Sequence, residues 1–137
     1  MEISEIEDRL NLARASDDDL NEMLFARAFG WTYPLTGAGY HHFHGLRREH
    51  GKTDFTGNAQ AAFTLAKRVL EKAQFDISID ESGYSQVKMS GQHYDSRLCG
   101  YYEVAKTGSS LALAVSRCAL EVLKQMAEKA ETVRMAG

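Results

Sequence analysis

The chain has 137 residues, 44% of them hydrophobic and 26% charged, which is the composition of an ordinary globular protein of one domain. Sixteen Lys and Arg against nineteen Asp and Glu give a net charge of −3, which excludes both a polycationic nucleic-acid coat and a polyanionic nucleic-acid mimic. One proline and eleven glycines leave no room for long disordered linkers, and a chain of this length buries roughly two thirds of its unfolded surface in one core.

The first ten residues hold four acids and no apolar run, so no signal peptide is expected. No stretch approaches the roughly 20 apolar residues of a membrane span, and both cysteines, Cys99 and Cys118, are expected to be reduced thiols. These features place the protein in the cytoplasm, with no membrane partner. Charge is uneven along the chain: residues 1–30 carry eight acids and three bases, residues 31–74 three acids and six bases. The basic excess lies in the middle.

Ile3, Ile6, Leu10 and Ala13 recur at helical spacing and Ser4 with Glu7 fits a capping box, predicting a peripheral helix within residues 1–15. Ser16 then reads as an N-cap, Asp17, Asp18 and Asp19 as acids at the positive end of a second helix, and Leu20, Leu24, Phe25 and Ala28 as its apolar stripe. Gly30 stops it. Three adjacent carboxylates do not converge, so the acids are read as capping and not as a metal site.

No period holds between Trp31 and Phe55, where Pro34, Gly37, Gly39, Gly45 and Gly51 punctuate the chain. Residues 32–56 are therefore expected to form a long loop, and loops of that length are commonly functional. A middle helix follows, capped by Thr56 or Asn58 and carried by Ala62, Leu65, Ala66, Val69 and Leu70. Phe75, Ile77 and Ile79 alternate as a half-buried strand should. Ser82-Gly83 makes a turn, Tyr84 to Met89 a second strand, Ser90-Gly91 a second turn, and Leu98, Tyr102 and Val104 a third strand. The last helix runs from about Ser109 to Glu131 with an apolar face wide enough to be covered on more than one side, and 130–137 reads as a frayed tail. The fold class is α+β: a three-stranded antiparallel β-meander packed with helices, in α-α-β-β-β-α order, with two N-terminal helices plus a middle and a C-terminal helix.

Three stretches carry a resemblance. Asp19-Leu20-Asn21-Glu22 leading to Ala28-Phe29-Gly30-Trp31, the run Phe55-Thr56-Gly57-Asn58-Ala59-Gln60-Ala61-Ala62-Phe63-Thr64-Leu65, and Ser110-Leu111-Ala112-Leu113-Ala114-Val115 through Ala119-Leu120 are together similar to the phage ABA sandwich domain family. The resemblance covers most of residues 17–128. It implies phage or prophage origin and an accessory role in the bacterial host, and it implies no catalytic residue. The same order of elements occurs in double-stranded RNA-binding domains, which need lysines at the start of the last helix. Lys106-Thr107-Gly108-Ser109-Ser110-Leu111 offers one, so nucleic acid is not an expected partner.

The least ordinary stretch is Tyr40-His41-His42-Phe43-His44 with Arg47-Arg48-Glu49-His50. His41, His44 and His50 could supply metal nitrogens, but no CxxC or HExxH fixes their spacing, and clustered loop histidines are usually polar aromatic filler. The same segment is expected to form a site for a small anionic, nucleotide-like ligand. Arg47, Arg48 and Lys52 supply positive charge, Trp31, Tyr33, Tyr40 and Phe43 supply stacking faces, and Thr56, Gly57 and Asn58 place backbone N–H groups at a helix start. Cys99 with His93 and Asp95 lacks the arrangement of a thiol nucleophile, and Ser109-Ser110 lacks a strand-to-helix elbow. The expected role is thus non-enzymatic, without a cofactor: a phage accessory protein that sequesters a nucleotide-like ligand against host defence. The alternatives are a protein–protein inhibitor or assembly adaptor acting on a host protein, and a metal-dependent hydrolase. Exposed edges of a three-stranded sheet predict a homodimer or higher homo-oligomer.

Overall fold

Two helix starts in the N-terminal half are set by side chains that satisfy free backbone groups, at Asp17 and Asn58. The computed structural model describes residues 2–49, 51–93 and 100–136. Helix α1 (Ile3–Leu12) buries Ile6 and Leu10, one turn apart. Glu2 and not Ser4 stands at its N-cap, and Glu7, free of a capping box, pairs with Lys124 at 3.2 Å. Helix α2 (Asp18–Phe29) is capped by Asp17, whose carboxylate accepts from the Leu20 N–H, while Ser16 is drawn away to Asp54.

The segment expected as a loop over 32–56 contains a helix, α3 (Gly37–Arg48). Three glycines lower its intrinsic propensity and few of its side chains are buried, so neither composition nor period reveals it. Tertiary contact holds it in place. Phe43 meets the Phe25 ring edge-on at 5.2 Å, and the Trp31 ring lies 2.9 Å from where a Cβ on Gly39 would sit, so only glycine admits this approach.

Helix α4 (Ala59–Val69) is capped by Asn58, which accepts from the Ala61 N–H at 3.1 Å. Strands β1 (Gln74–Ile79), β2 (Ser85–His93) and β3 (Gly100–Gly108) form an antiparallel meander in the order β1-β2-β3. The expected turn at Ser90-Gly91 is absent, because β2 continues through both residues to His93. Gly91 serves close packing instead: a Cβ there would lie 3.0 Å from Leu70. Leu98 and Cys99 fall outside the described residues. The architecture is therefore α+β in the order α-α-α-α-β-β-β-α, one helix more than the sequence suggests.

Helix α5 (Leu111–Ala136) carries the core, and its helical structure continues through the stretch read as a frayed tail. Ala112 to Ser116 and Cys118 to Leu120 are all buried, because α5 lies between the sheet on one side and α4 and α1 on the others. It packs against β2 and β3, so Val87, Met89, Tyr102 and Val104 are buried. β1 overhangs this layer. Phe75 is partly covered by Phe63 of α4, but Ile77 and Ile79 are 38% and 52% exposed, contrary to the half-buried pattern expected. Among the described residues no helix is long and apolar enough to cross a membrane.

Arg117 of α5 ties the N-terminal helix to this layer. Its guanidinium donates to the carbonyls of Leu10, Asn11 and Ala13 at the end of α1 and, at 2.7 Å, to Thr107 of β3. Partial burial pushes its pKa below the ordinary arginine value, yet the charge complements the negative end of α1. Hydrogen bonds to a charged group contribute about 1.5–3 kcal/mol. Arg117→Ala is expected to lower the unfolding free energy by about 2 kcal/mol in a urea titration. Amide exchange should accelerate in α1 more than in β2, and Arg117→Lys should not restore the loss, since an ammonium cannot reach four carbonyls in one plane.

Candidate functional site

A buried polar junction fixes the start of α4. Asn21 of α2, 1% exposed, accepts from both the N–H and the hydroxyl of Thr56, at 2.9 and 2.8 Å, and its amide donates to Asp54 at 3.0 Å. The Asp17 N–H donates to the Thr56 hydroxyl oxygen, Ser16 donates to Asp54, and Ser116 of α5 donates to the Phe55 carbonyl at 2.7 Å. Gly57 lies so close to Asp54 and Ser16 that a Cβ would collide with both. Among the described residues no buried side-chain nitrogen or oxygen lacks a partner.

Held in this way, α4 meets the ends of α2 and α3 around a cleft of about 460 Å³. Phe29, Leu46, Phe55 and Ala61 line its apolar side, and Lys52, Asn58, Gln60 and Thr64 its polar side. Volume and lining are those of a small-molecule site, mostly apolar with a few placed polar groups. Lys52 brings the only charge among the described lining residues, and its ammonium pairs with Glu49 at 2.9 Å across open surface. The Asn58 carbonyl oxygen is taken by its cap, which leaves its NH₂ as a donor. The Arg68 guanidinium sits 5.2 Å from the centre of the Phe29 ring.

The candidates from the sequence are dispersed around this cleft. Lys52 and Asn58 line it. Arg47 is turned to Asp18 at 2.6 Å, joining the last turn of α3 to the first turn of α2, and Arg48 is exposed in that last turn. Phe43 is core and Tyr33 packs against it. Trp31 packs on Gly39, seven residues from Leu46 and so about 10 Å along the α3 axis. Tyr40 lies against His44 at 4.2 Å with the rings tilted and meets His41 edge-on. Thr56 and Gly57 are spent in the junction. His50 lies outside the described residues, and among those described no group of three or more His, Cys, Asp or Glu could hold a metal ion.

Phe29, Leu46, Gly51, Phe55, Gln60, Ala61 and Thr64 line the cleft without being singled out by the sequence. Gln60 and Thr64 are one turn apart on α4, but polar residues at that spacing mark any solvated helix face. Phe29 and Leu46 line one cleft only because α3 exists. A second depression, about 420 Å³, lies over Asp76, Ser78, Gln86 and Lys88 on the uncovered face of the sheet. The Lys88–Glu103 pair there, at 2.8 Å, raises the lysine pKa and lowers the carboxylate pKa through their shared hydrogen bond. Most of the described residues lining this depression are polar or charged, with Val87 and Ala105 the apolar ones among them.

Comparison with known proteins finds no matching family, no matching curated protein and no matching solved structure.

Removing the junction should loosen the site. Asn21→Ala strands the Thr56 N–H, and an unsatisfied buried group costs about 1–3 kcal/mol, so a destabilisation of about 3 kcal/mol is expected once Asp54 is also released. Chemical denaturation measures it. Cys118 is a second check on the interior: burial pushes its thiol up to about 11. The thiol is therefore protonated at neutral pH. Iodoacetamide should leave Cys118 unmodified at pH 8 until the chain unfolds, as read by peptide mapping.

Proposed function

We propose that the chain is a non-enzymatic binding protein whose cleft between α2, α3 and α4 holds a small molecule with an aromatic or aliphatic body and one anionic group. One observation carries this reading: apolar walls from three helices face a single cation, Lys52, with the amides of Asn58 and Gln60 and the hydroxyl of Thr64 beside it. Exposed ion pairs contribute about 0–1 kcal/mol, so a ligand anion exchanges with Glu49 at Lys52 for little cost. One lysine matches a monophosphate or carboxylate better than a triphosphate. The ligand class is thus the weakly charged end of the nucleotide-like range. The non-enzymatic part is supported by the lining, in which the lysine is the only ionisable group among the described residues. A phage accessory role in sequestering a host signal rests on the resemblance of the sequence alone.

Native mass spectrometry of the purified chain, beside a denatured sample, tests the proposal. A retained small molecule released by denaturation is expected, absent from Thr64→Trp, where the indole fills the cleft. Lys52→Ala should weaken binding about tenfold, the loss of one exposed charge-assisted contact. Arg47→Ala, whose side chain serves Asp18, should leave it unchanged. If nothing is retained, and nucleoside monophosphates and aromatic carboxylates at millimolar concentration do not raise the melting temperature, the proposal fails.

A further inference from the structure

The two edges of the sheet are unlike. At β3, the Thr107 carbonyl receives the Arg117 guanidinium and Lys106 pairs with Glu121 at 3.8 Å. β1 has little of the usual protection of an edge strand, with one charged residue, Asp76. It contains no lysine and no proline, its register with β2 runs without a bulge from Gln74–Ser90 to Ile79–Ser85, and it exposes Ile77 and Ile79.

The direction of its free backbone groups follows from the ladder. One step beyond the Ile79–Ser85 pair, the Asp80 N–H donates to the Tyr84 carbonyl at 3.0 Å. In an antiparallel pair, hydrogen-bonded and non-hydrogen-bonded positions alternate. Ser78, Asp76 and Gln74 therefore turn their N–H and C=O groups to β2, and Ile79, Ile77 and Phe75 turn theirs to the open edge. The same three residues carry the apolar side chains on the helix-bearing face.

We propose that β1 pairs antiparallel with β1 of a second copy of this chain, about a two-fold axis through Ile77. In that register Ile77 faces its own symmetry mate and Phe75 faces Ile79, so all three outward residues exchange backbone hydrogen bonds and their side chains form one apolar stripe. On the opposite face Asp76 meets Ser78, and Gln74 meets Asp80. Sliding by two residues one way sets Asp76 against Asp76, and the other way Asp76 against Asp80. Like charges directly opposite destabilise a pair, so charge selects the central register. The result is a continuous sheet twice as wide, with the helices of both copies on one face. Self-complementarity of this kind is what an isologous contact requires, and an unrelated strand would match it only by coincidence. Six residues a side fall well short of the roughly 20–30 of a standard interface, so the affinity expected is micromolar.

Sedimentation equilibrium across the micromolar range, joined to residue-resolved amide exchange, tests this. A monomer–dimer equilibrium is expected, in which the amides of Phe75, Ile77 and Ile79 gain protection as concentration rises while those of Asp76 and Ser78 are protected throughout. Ile77→Lys places two ammonium groups at the axis and should weaken association at least about tenfold. A chain that stays monomeric overturns the proposal, and so does a dimer in which the Phe75, Ile77 and Ile79 amides exchange as fast as in the dilute protein. The exchange pattern of the native chain decides even if the lysine variant fails to fold. Loss of cleft binding in Thr64→Trp has no bearing on these amides.

Discussion

Asn21 is a polar side chain in the most buried stretch of α2, and the rest of the arrangement depends on how its hydrogen bonds are met. In a low-dielectric interior an unpaired amide is costly, so the residue is tolerable only if partners arrive with good geometry. Thr56 supplies both an N–H and a hydroxyl, and Asp54 takes the amide hydrogen. Hydrophobic burial alone would let the 53–58 segment slide over α2, since apolar contact is non-directional. The junction removes that freedom. It brings the segment from the end of α3 to the N-cap of α4 under a single constraint, to which Ser116 adds a hold from the opposite side through the Phe55 carbonyl.

From that fixed start, α4 enters with Ala61, Ala62, Leu65, Ala66 and Val69 on its buried side. α4 packs along α5, which buries small residues of its own at Ala112, Ala114 and Ala119, and small contact residues let helices approach closely. α5 is then covered on one flank by α4 and on another by the sheet, which accounts for its apolar width without a second subunit. The same geometry explains why β1 is left uncovered. One helix can lie under two strands about 4.8 Å apart more readily than under three, and α5 is placed beneath β2 and β3.

The legible parts of the sequence were those with a period or a cap. Asn58 before an alanine-rich stripe marks α4, Gly30 closes α2, and the alternation of Tyr102 with Val104 gives β3. Ser16 misled because Asp17 and Ser16 are equally good caps by type, and only the position of Asp54, far along the chain, separates them. α3 was invisible for a different reason. Its glycines lower helix propensity and its histidines and arginines face outward, so its stability comes from Phe43 on Phe25 and Trp31 on Gly39, contacts that no local window contains. Reading Ser90-Gly91 as a turn failed similarly, since the glycine answers Leu70 and not the strand direction. The basic-aromatic segment was legible as a place and not as a constellation: on a helix of 12 residues Tyr40, Phe43 and Arg47 share one stripe, but Phe43 is buried in the core, Tyr40 packs with His41 and His44, and Arg47 is taken by Asp18.

The cleft and the open strand edge share α4, and the spacing along that helix sets their relation. Gln60, Ala61 and Thr64 border the cleft, whereas Phe63 supports Phe75 of β1 at 4.9 Å. Residues 60 and 64 lie on one side of the helix, and residue 63 is rotated from 64 by about 100°. The two surfaces are therefore neighbours on one rigid element without overlapping. Because Asn58 and the Asn21 junction hold the N-terminal end, a motion of α4 that opened the cleft would have to pivot there. The free displacement would lie at the far end, near Val69 and Leu70, where Leu70 packs under Gly91 of β2. The tight fit at Gly91 opposes that displacement, since interiors packed this closely resist small shifts. The α4 wall of the cleft is thus held at both ends, by the Asn21 junction and by Leu70 under Gly91.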